Sequence, residues 1–364
     1  TLIILTSSQS NSAQPPSSPL APLSLTDVFK IALAKNETMA IQESRGKQLQ
    51  ERLKQAEGTI YPKLALLGTY DKQDKPENTT IKSDKTIFKL QATAPIYHGG
   101  REIYMMRAAN LDLLSQEEQK EIAKINLYSQ VGALYYSLLM VDADVQNLFE
   151  QLELTSLRIK ELKERTTLGR SRKSELLNAE SQKALLLAQI DSQQVEKSNY
   201  QENFTFVTGI ETETAIIDQA SAHENLFPQL APITVYLQLL DDRPDLHALK
   251  AQIDSQEQSV SAARSGHFPS LDLTGGYYLE NSGQPRKLVP AWDVKISLSF
   301  SLFEGGIISS QVNESLEKWR EKRLTLDQAR RNAEREIRSA YVKIQKNQTQ
   351  LKSYRQALLA AERA

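Results

Sequence analysis

Cysteine is absent from the 364 residues, which excludes disulfides, thiolate metal sites, a thiol nucleophile and an acyl-cysteine anchor. An excess of one charge is lacking too. With 44 Lys and Arg against 45 Asp and Glu, the net charge of −1 offers no electrostatic basis for binding nucleic acid. Long apolar runs are also missing: the longest mostly apolar stretch, about Val131 to Val141, falls well short of the roughly 20 residues a membrane-spanning helix needs. The four histidines, His98, His223, His247 and His267, are scattered without metal-ligand spacing and read as surface or interfacial residues. No Ser-His-Asp order, paired-carboxylate motif or P-loop stands out. An enzyme, a cofactor and a bound metal are therefore not expected. Asp241, Asp242 and Asp245, gathered around Arg243 and Pro244, read as charge placed at a helix start.

What is present is a repeat. YPKLALLGTY at Tyr61 to Tyr70 and FKLQATAPIYHGG at Phe88 to Gly100 return as FPSLDLTGGY at Phe268 to Tyr277 and VKISLSFSLFEGG at Val294 to Gly306. The segment from Leu33 to Tyr70 aligns with Leu240 to Tyr277 at an offset of 207, and after the hairpin loop the offset becomes 206. Each half reads helix, strand, polar loop, strand, Gly-Gly, long helix. In the first half a second long helix returns from about Ser171 to Val207; the second half stops at Ala364 within its long helix, so a returning counterpart is expected to be missing.

The long helices carry a 3.5-residue seam. Leu127, Val131, Leu134, Leu138, Val141, Val145, Leu148, Leu152, Thr155, Ile159 and Leu162 alternate spacings of four and three. A second seam runs through Val312, Leu316, Trp319, Arg323, Leu326, Arg330, Ala333, Ile337, Ala340 and Ile344 to Leu358. A helix from Arg101 to Thr166 would reach on the order of 100 Å, the length of a spacer. The returning helix has a mixed seam that includes Lys183, Gln193 and Lys197, which suits a helical wall with water on one side. A solvated antiparallel coiled coil is the alternative.

The strands favour a membrane. Phe88, Leu90, Ala92, Ala94 and Ile96 alternate with Lys89, Gln91 and Thr93, as Trp292, Val294, Ile296, Leu298, Phe300 and Leu302 alternate with Asp293, Lys295, Ser297, Ser299 and Ser301. Strands of about ten residues with one apolar and one polar face fit a transmembrane β-barrel, with the first sets facing lipid and the second facing the lumen. Tyr61, Tyr97, Phe268 and Phe303 near one end, and Tyr70, Tyr277 and Trp292 near the other, sit where interfacial aromatics belong. A half-buried soluble sheet shows the same alternation. Four strands cannot close a barrel, because lipid satisfies no open edge and single-chain barrels begin at about eight strands. Two copies would give a plugged barrel of eight strands, and three a barrel of twelve with a lumen.

These residues resemble the TolC-type outer-membrane efflux proteins from about Leu25 onward. The likeness is carried by Asp241 to Tyr277, by SLFEGG at Ser301 to Gly306 with its PIYHGG counterpart, and by GRSRKSELLNAE at Gly169 to Glu180. It implies a mixed α and β membrane protein: a homotrimer of twelve strands in the outer membrane, continuous with a helical tunnel in the periplasm. It also implies docking to a periplasmic adaptor and an inner-membrane transporter, for drug efflux or type I secretion. A periplasmic coiled-coil adaptor or structural interaction protein is the alternative, although an adaptor would carry one helical hairpin rather than two strand pairs, each feeding long helices.

In the family sense, Leu168, Gly169, Arg170, Arg172, Lys173 and Glu175 form a candidate adaptor-docking tip. Gly169 suits a left-handed helix end, and Ser171 or Ser174 could cap the next helix. Where family tips often carry Ser or Thr three residues after the glycine, this chain has Arg172. Gly99, Gly100, Gly305 and Gly306 are expected to let the chain bend from strand to helix.

The expected organisation has four parts. Residues 1–24 form a partial export signal and extended arm, with a plain disordered arm as the alternative for TLIIL and the polar residues after it. Residues 25–207 make the first repeat, with a β-hairpin at 61–97 and a helical hairpin at 101–207. Residues 208–239 form an equatorial linker, and 240–364 the second repeat, with a β-hairpin at 268–303 and a long helix at 307–364.

Overall fold

The computed structural model describes residues 23–72, 74, 84–211, 216, 230–282 and 290–363. The expected export signal and most of the expected linker lie outside these. The order of elements is α1 (Leu25–Lys35), α2 (Glu37–Gly58), β1 (Lys63–Lys72), β2 (Asp84–Tyr97), α3 (Arg101–Thr167), α4 (Lys173–Thr208), α5 (Ile233–Gln238), α6 (Pro244–Arg264), β3 (Ser270–Asn281), β4 (Trp292–Ser299) and α7 (Ile307–Ala361). Among the described residues no helix is long and apolar enough to cross a membrane. The chain divides into two compact units, Thr1–Met39 with Lys124–Pro228, and Ala40–Ala123 with Gln229–Ala364.

In the first unit, α1 begins at Ser24, whose Oγ accepts from the Asp27 N–H at 3.3 Å, satisfying an otherwise orphaned amide. Val28 and Ala32 are fully buried, in a core with Val131, Tyr135, Leu138, Val141, Phe204 and Val207. Tyr135 is not in the expected seam; its hydroxyl donates to the Leu23 carbonyl at 3.1 Å. α4 ends at Gly209 in the left-handed region with φ +65°. Lys35 Nζ and Asn36 Nδ2 donate to the carbonyls of Gly209 and Val207 at 2.8 and 3.0 Å, so the end of α1 meets the carbonyls that a helix end leaves over. Every seam position from Leu127 to Leu162 on α3, and those from Leu176 to Val207 on α4, lies on the less exposed stripe of its helix.

In the second unit, α6 packs on α3 through small residues. Ser115 Oγ donates to the Ala248 carbonyl at 3.0 Å, and Ser255 Oγ to the Ala108 carbonyl at 3.1 Å. Both hydroxyls are buried, so each needs such a partner. On its other side α6 meets α7, where Leu240, Leu246 and Ala333 form a core with Leu326, Ala329 and Ile337. Here the expected seam is corrected. Arg323 and Arg330 are exposed, and Ala329 and Tyr341 take inner positions expected of Arg330 and Ala340. A straight helix drifts by about 20° per heptad against a 3.5 repeat, and Tyr236 of α5 holds the Tyr341 ring at a centroid distance of 6.1 Å.

The sheet has the order β1-β2-β3-β4 with all pairs antiparallel. α2, α3, α6 and α7 all join it at the end marked by Lys63, Tyr97, Ser270 and Ser299. One expectation fails at this end: β4 stops at Ser299, and Phe300 and Leu302 lie beyond the hydrogen-bonded strand. Ser299 pairs with Ser270, and the next β3 amide that would face β4, that of Phe268, donates instead to the Ser265 carbonyl at 3.0 Å.

Candidate functional site

The sheet is the first part of the site. Its register puts Leu64, Leu66, Gly68 and Tyr70 on one face with Phe88, Leu90, Ala92, Gly275, Tyr277, Trp292, Val294, Ile296 and Leu298. Ile96 stands further along the same edge of β2. No described layer covers this face: Leu298 is 71% exposed, Ile296 64%, Val294 63% and Trp292 65%, and Phe88, Leu90 and Ile96 are exposed as well. Phe300 and Leu302 are also exposed, just past the strand. Lys89, Gln91, Asp293, Lys295, Ser297 and Ser299 share the opposite face with Thr274 and Asp272. There Lys89 Nζ sits 5.8 Å from the Tyr278 ring centre, a cation–π distance. Aromatic rings stand exposed at both ends of the sheet: Tyr61, Tyr97, Phe268 and Phe303 at the helix end, Tyr70, Tyr277 and Trp292 at the other. A soluble sheet would bury the apolar face against a second layer.

The second part is the pair of strand-to-helix junctions. Gly99 and Gly100 have φ of +64° and +80°, and Gly305 and Gly306 +60° and +84°, values that cost an L-residue about 1–2 kcal/mol. The hydrogen bonds match too: Arg101 N–H to His98 O and Tyr104 N–H to Gly100 O in the first, Ile307 N–H to Glu304 O and Ser310 N–H to Gly306 O in the second. At the first junction Ser265 Oγ donates to the Gly99 carbonyl at 2.9 Å. A Cβ on Gly99 would lie 3.0 Å from both Phe268 Cβ and the Ser265 carbonyl oxygen.

His98 ties this junction together in a way that its lone position in the sequence did not suggest. Its Nδ1 is 2.5 Å from a Glu102 carboxylate oxygen and its Nε2 is 3.1 Å from Asp272. The hydrogen bond to Glu102 raises the imidazole's pKa above its ordinary value; burial opposes this, and the Asp272 carboxylate adds to it. The available signal was Glu102 four residues after His98. The acidic cluster at the start of α6 is likewise paired: Arg243 makes a two-pronged contact with Asp245 at 3.0 and 2.8 Å and reaches Glu336 at 3.1 Å, while Arg330 holds Asp241 at 3.0 Å.

The third part is the turn between α3 and α4. Gly169 has φ +71°, the Arg170 N–H donates to the Arg165 carbonyl at 2.8 Å and the Gly169 N–H to Thr166 at 3.1 Å. This pair of bonds is a Schellman ending. Neither Ser171 nor Ser174 caps α4. Arg172 occupies the N-cap without a side-chain bond, and Ser171 Oγ instead donates to Glu175 at 2.6 Å. With the backbone turn already closed by the glycine, Ser171 falls one residue too early to reach the first amides. Leu168, Arg170, Arg172, Lys173 and Glu175 are all exposed.

Comparison with known proteins agrees with this geometry. Residues 235–364 match the family described as outer membrane efflux protein. The Outer membrane protein TolC of Escherichia coli (strain K12) is 22% identical over 86% of this chain. The chain is similar to the TolC-type outer-membrane efflux proteins. It spans 66% of the length of that TolC relative, just under two thirds. The TolC-type fold is shared with CusC, described for conformational changes accompanying folding and transmembrane channel formation, at a TM-score of 0.80 and 18% identity over 96% of this chain and 82% of that one. It is shared also with the outer membrane protein VceC of Vibrio cholerae, at 0.78 and 18% over 93% and 83%.

Proposed function

We propose that this protein is the outer-membrane exit duct of a tripartite efflux pump or type I secretion system, passing small molecules or proteins out of the cell. The observation that carries this is the uncovered apolar face of a four-stranded sheet whose four helices all leave from one end. In lipid such a face needs no second protein layer, and an open edge is not tolerated. Three copies would supply twelve strands, enough for a water-filled lumen. The polar face would line that lumen, and the two junctions would turn the strands into periplasmic helices.

A helix the length of α3 extends on the order of 100 Å. It would carry the Gly169 turn far from the membrane, where a periplasmic adaptor, itself bound to an inner-membrane transporter, can reach it. Exposed Arg170, Arg172 and Lys173 suit acidic or carbonyl groups on that adaptor. The duct is a passive conduit, opened at the periplasmic end of its helices.

The test is a pair of substitutions one residue apart. Leu298→Arg puts a charge into lipid, at a cost of roughly 2–4 kcal/mol near the midplane, and should abolish assembly in the outer membrane. Ser297→Arg, facing the lumen, should assemble and be found in the membrane at normal abundance. Equal tolerance of both would overturn the barrel.

A further inference from the structure

We infer that His98 is a positioning residue of the duct wall: as an imidazolium it braces the first turn of α3 to β3, and it releases β3 when it loses its proton. The ring meets a carboxylate on each side, with Nδ1 2.5 Å from Glu102 of α3 and Nε2 3.1 Å from Asp272 of β3. An ionised carboxylate only accepts hydrogen bonds, and a neutral imidazole carries a single N–H. Both contacts are therefore hydrogen bonds only when both ring nitrogens are protonated. A protonated carboxyl would replace one ring proton only within the ordinary carboxylate range, about pH 4 and below. All three side chains are partly buried, so water screens them incompletely, and bonds between charged partners are stronger than neutral ones. The role in the duct rests on the proposed function; the brace itself does not.

The contacts join separate parts of the fold. Glu102 stands in the first turn of α3 and Asp272 on β3, 174 residues from His98, while His98 itself lies just past the end of β2. No other charge among the described residues acts on the ring. The end of α6 brings Ser265 to the Gly99 carbonyl and β4 sets Ser297 opposite Asp272, and neither serine titrates. Lys63 of β1 and Lys295 of β4 stand one row further along the sheet, beside Thr93 and Thr274, and Arg101 and His267 are exposed. Loss of one proton leaves a single N–H, kept by the shorter bond to Glu102, and turns the Nε2 lone pair toward the Asp272 carboxylate. Repulsion at that contact frees β3 from the base of α3. The repeat counterparts Glu304, Ile308 and Ala65 can form no such bridge, so the release belongs to the first junction alone.

Nuclear magnetic resonance of the full-length protein with isotope-labelled histidine, reconstituted in bilayers, reads the ring directly. The His98 signals, identified by their loss in His98→Gln, should show both nitrogens protonated at about pH 6 and titrate above the ordinary histidine value of about 6.5. A ring already neutral at about pH 6 would overturn the inference. In the cysteine-free chain, spin labels attached through Met105→Cys on α3 and Leu279→Cys on β3, both exposed positions, read the brace as a distance. That distance should be narrowly distributed below the His98 midpoint and broaden above it. His98→Gln should broaden it at every pH, whereas Asp272→Asn, which can donate to a neutral Nε2, should keep it narrow throughout. A distance that ignores both pH and His98→Gln would reduce the histidine to packing and overturn the brace. A brace measured in protein that conducts no ions across the bilayer would refute the duct and leave the brace standing.

Discussion

The two strand-to-helix junctions have the same backbone and different surroundings. Both place paired glycines at φ between +60° and +84° and repeat the same two hydrogen bonds. Yet Gly99 is packed against Phe268 and Ser265, while nothing lies within 4 Å of a Cβ built on Gly305. By the repeat, Tyr61 corresponds to Phe268 and Gly58 to Ser265. The first junction finds its cover in the second repeat of its own chain; the second would find the equivalent cover only in another copy. The side chains diverge as well: His98, Glu102 and Asp272 at the first correspond to Glu304, Ile308 and Ala65 at the second. What the repeat conserves is the bend, and what it varies is the polar bonding around the bend.

The largest expected effect breaks the first junction. Gly99→Ala combines left-handed strain with contacts at 3.0 Å and should cost about 2–4 kcal/mol, read as a lower unfolding temperature of the purified protein. Gly305→Ala should cost about 1–2 kcal/mol in a separated chain, from strain alone. In the assembled protein its cost should rise toward that of Gly99→Ala; an unchanged cost on assembly would mean that no neighbour covers this junction. Ser265→Ala removes the bond to the Gly99 carbonyl and should cost about 0.5–1.5 kcal/mol, whereas Gly58, its repeat counterpart, has no hydroxyl to lose.

Smaller effects probe charge. Asp71→Lys would set a lysine opposite Lys85, its partner on β2, costing about 0.2–1 kcal/mol. Adding Lys85→Asp should restore part of it, measured as the unfolding temperature of the purified protein. For His98, a folded-state pKa raised by Glu102 means stabilisation that is complete below the unfolded value near 6.5 and fades as pH rises through the folded value. His98→Gln should flatten the pH dependence of unfolding over that window, and Glu304→Gln should leave it unchanged.

The repeat, the hairpins, the glycine bends and the seams of α3 and α4 were legible because each is written in local spacing. Period 2 fixes a strand face and period 3.5 a helix stripe wherever the partner runs alongside for many residues. What was not legible depends on partners distant in sequence. The end of β4 falls where Phe268 on the neighbouring segment turns its N–H to the Ser265 carbonyl, not where the alternation through Phe300 and Leu302 stops. The α7 stripe moves to Ala329 and Tyr341 because α5 and α6 pack there. Capping of α4 depends on where the Schellman turn releases the chain, and His98 acquires its role from Asp272, 174 residues away.

The central claim is that the apolar face of the sheet lies against lipid and the polar face against water. Single cysteines placed in turn from Trp292 to Ser299 in the cysteine-free protein, reconstituted in bilayers, report this residue by residue. Fluorophores at 292, 294, 296 and 298 should be quenched by nitroxide-labelled lipid, and those at 293, 295, 297 and 299 by a water-soluble quencher, with a strict period of two. Quenching without alternation, or with lipid contact at the odd positions, would contradict the account.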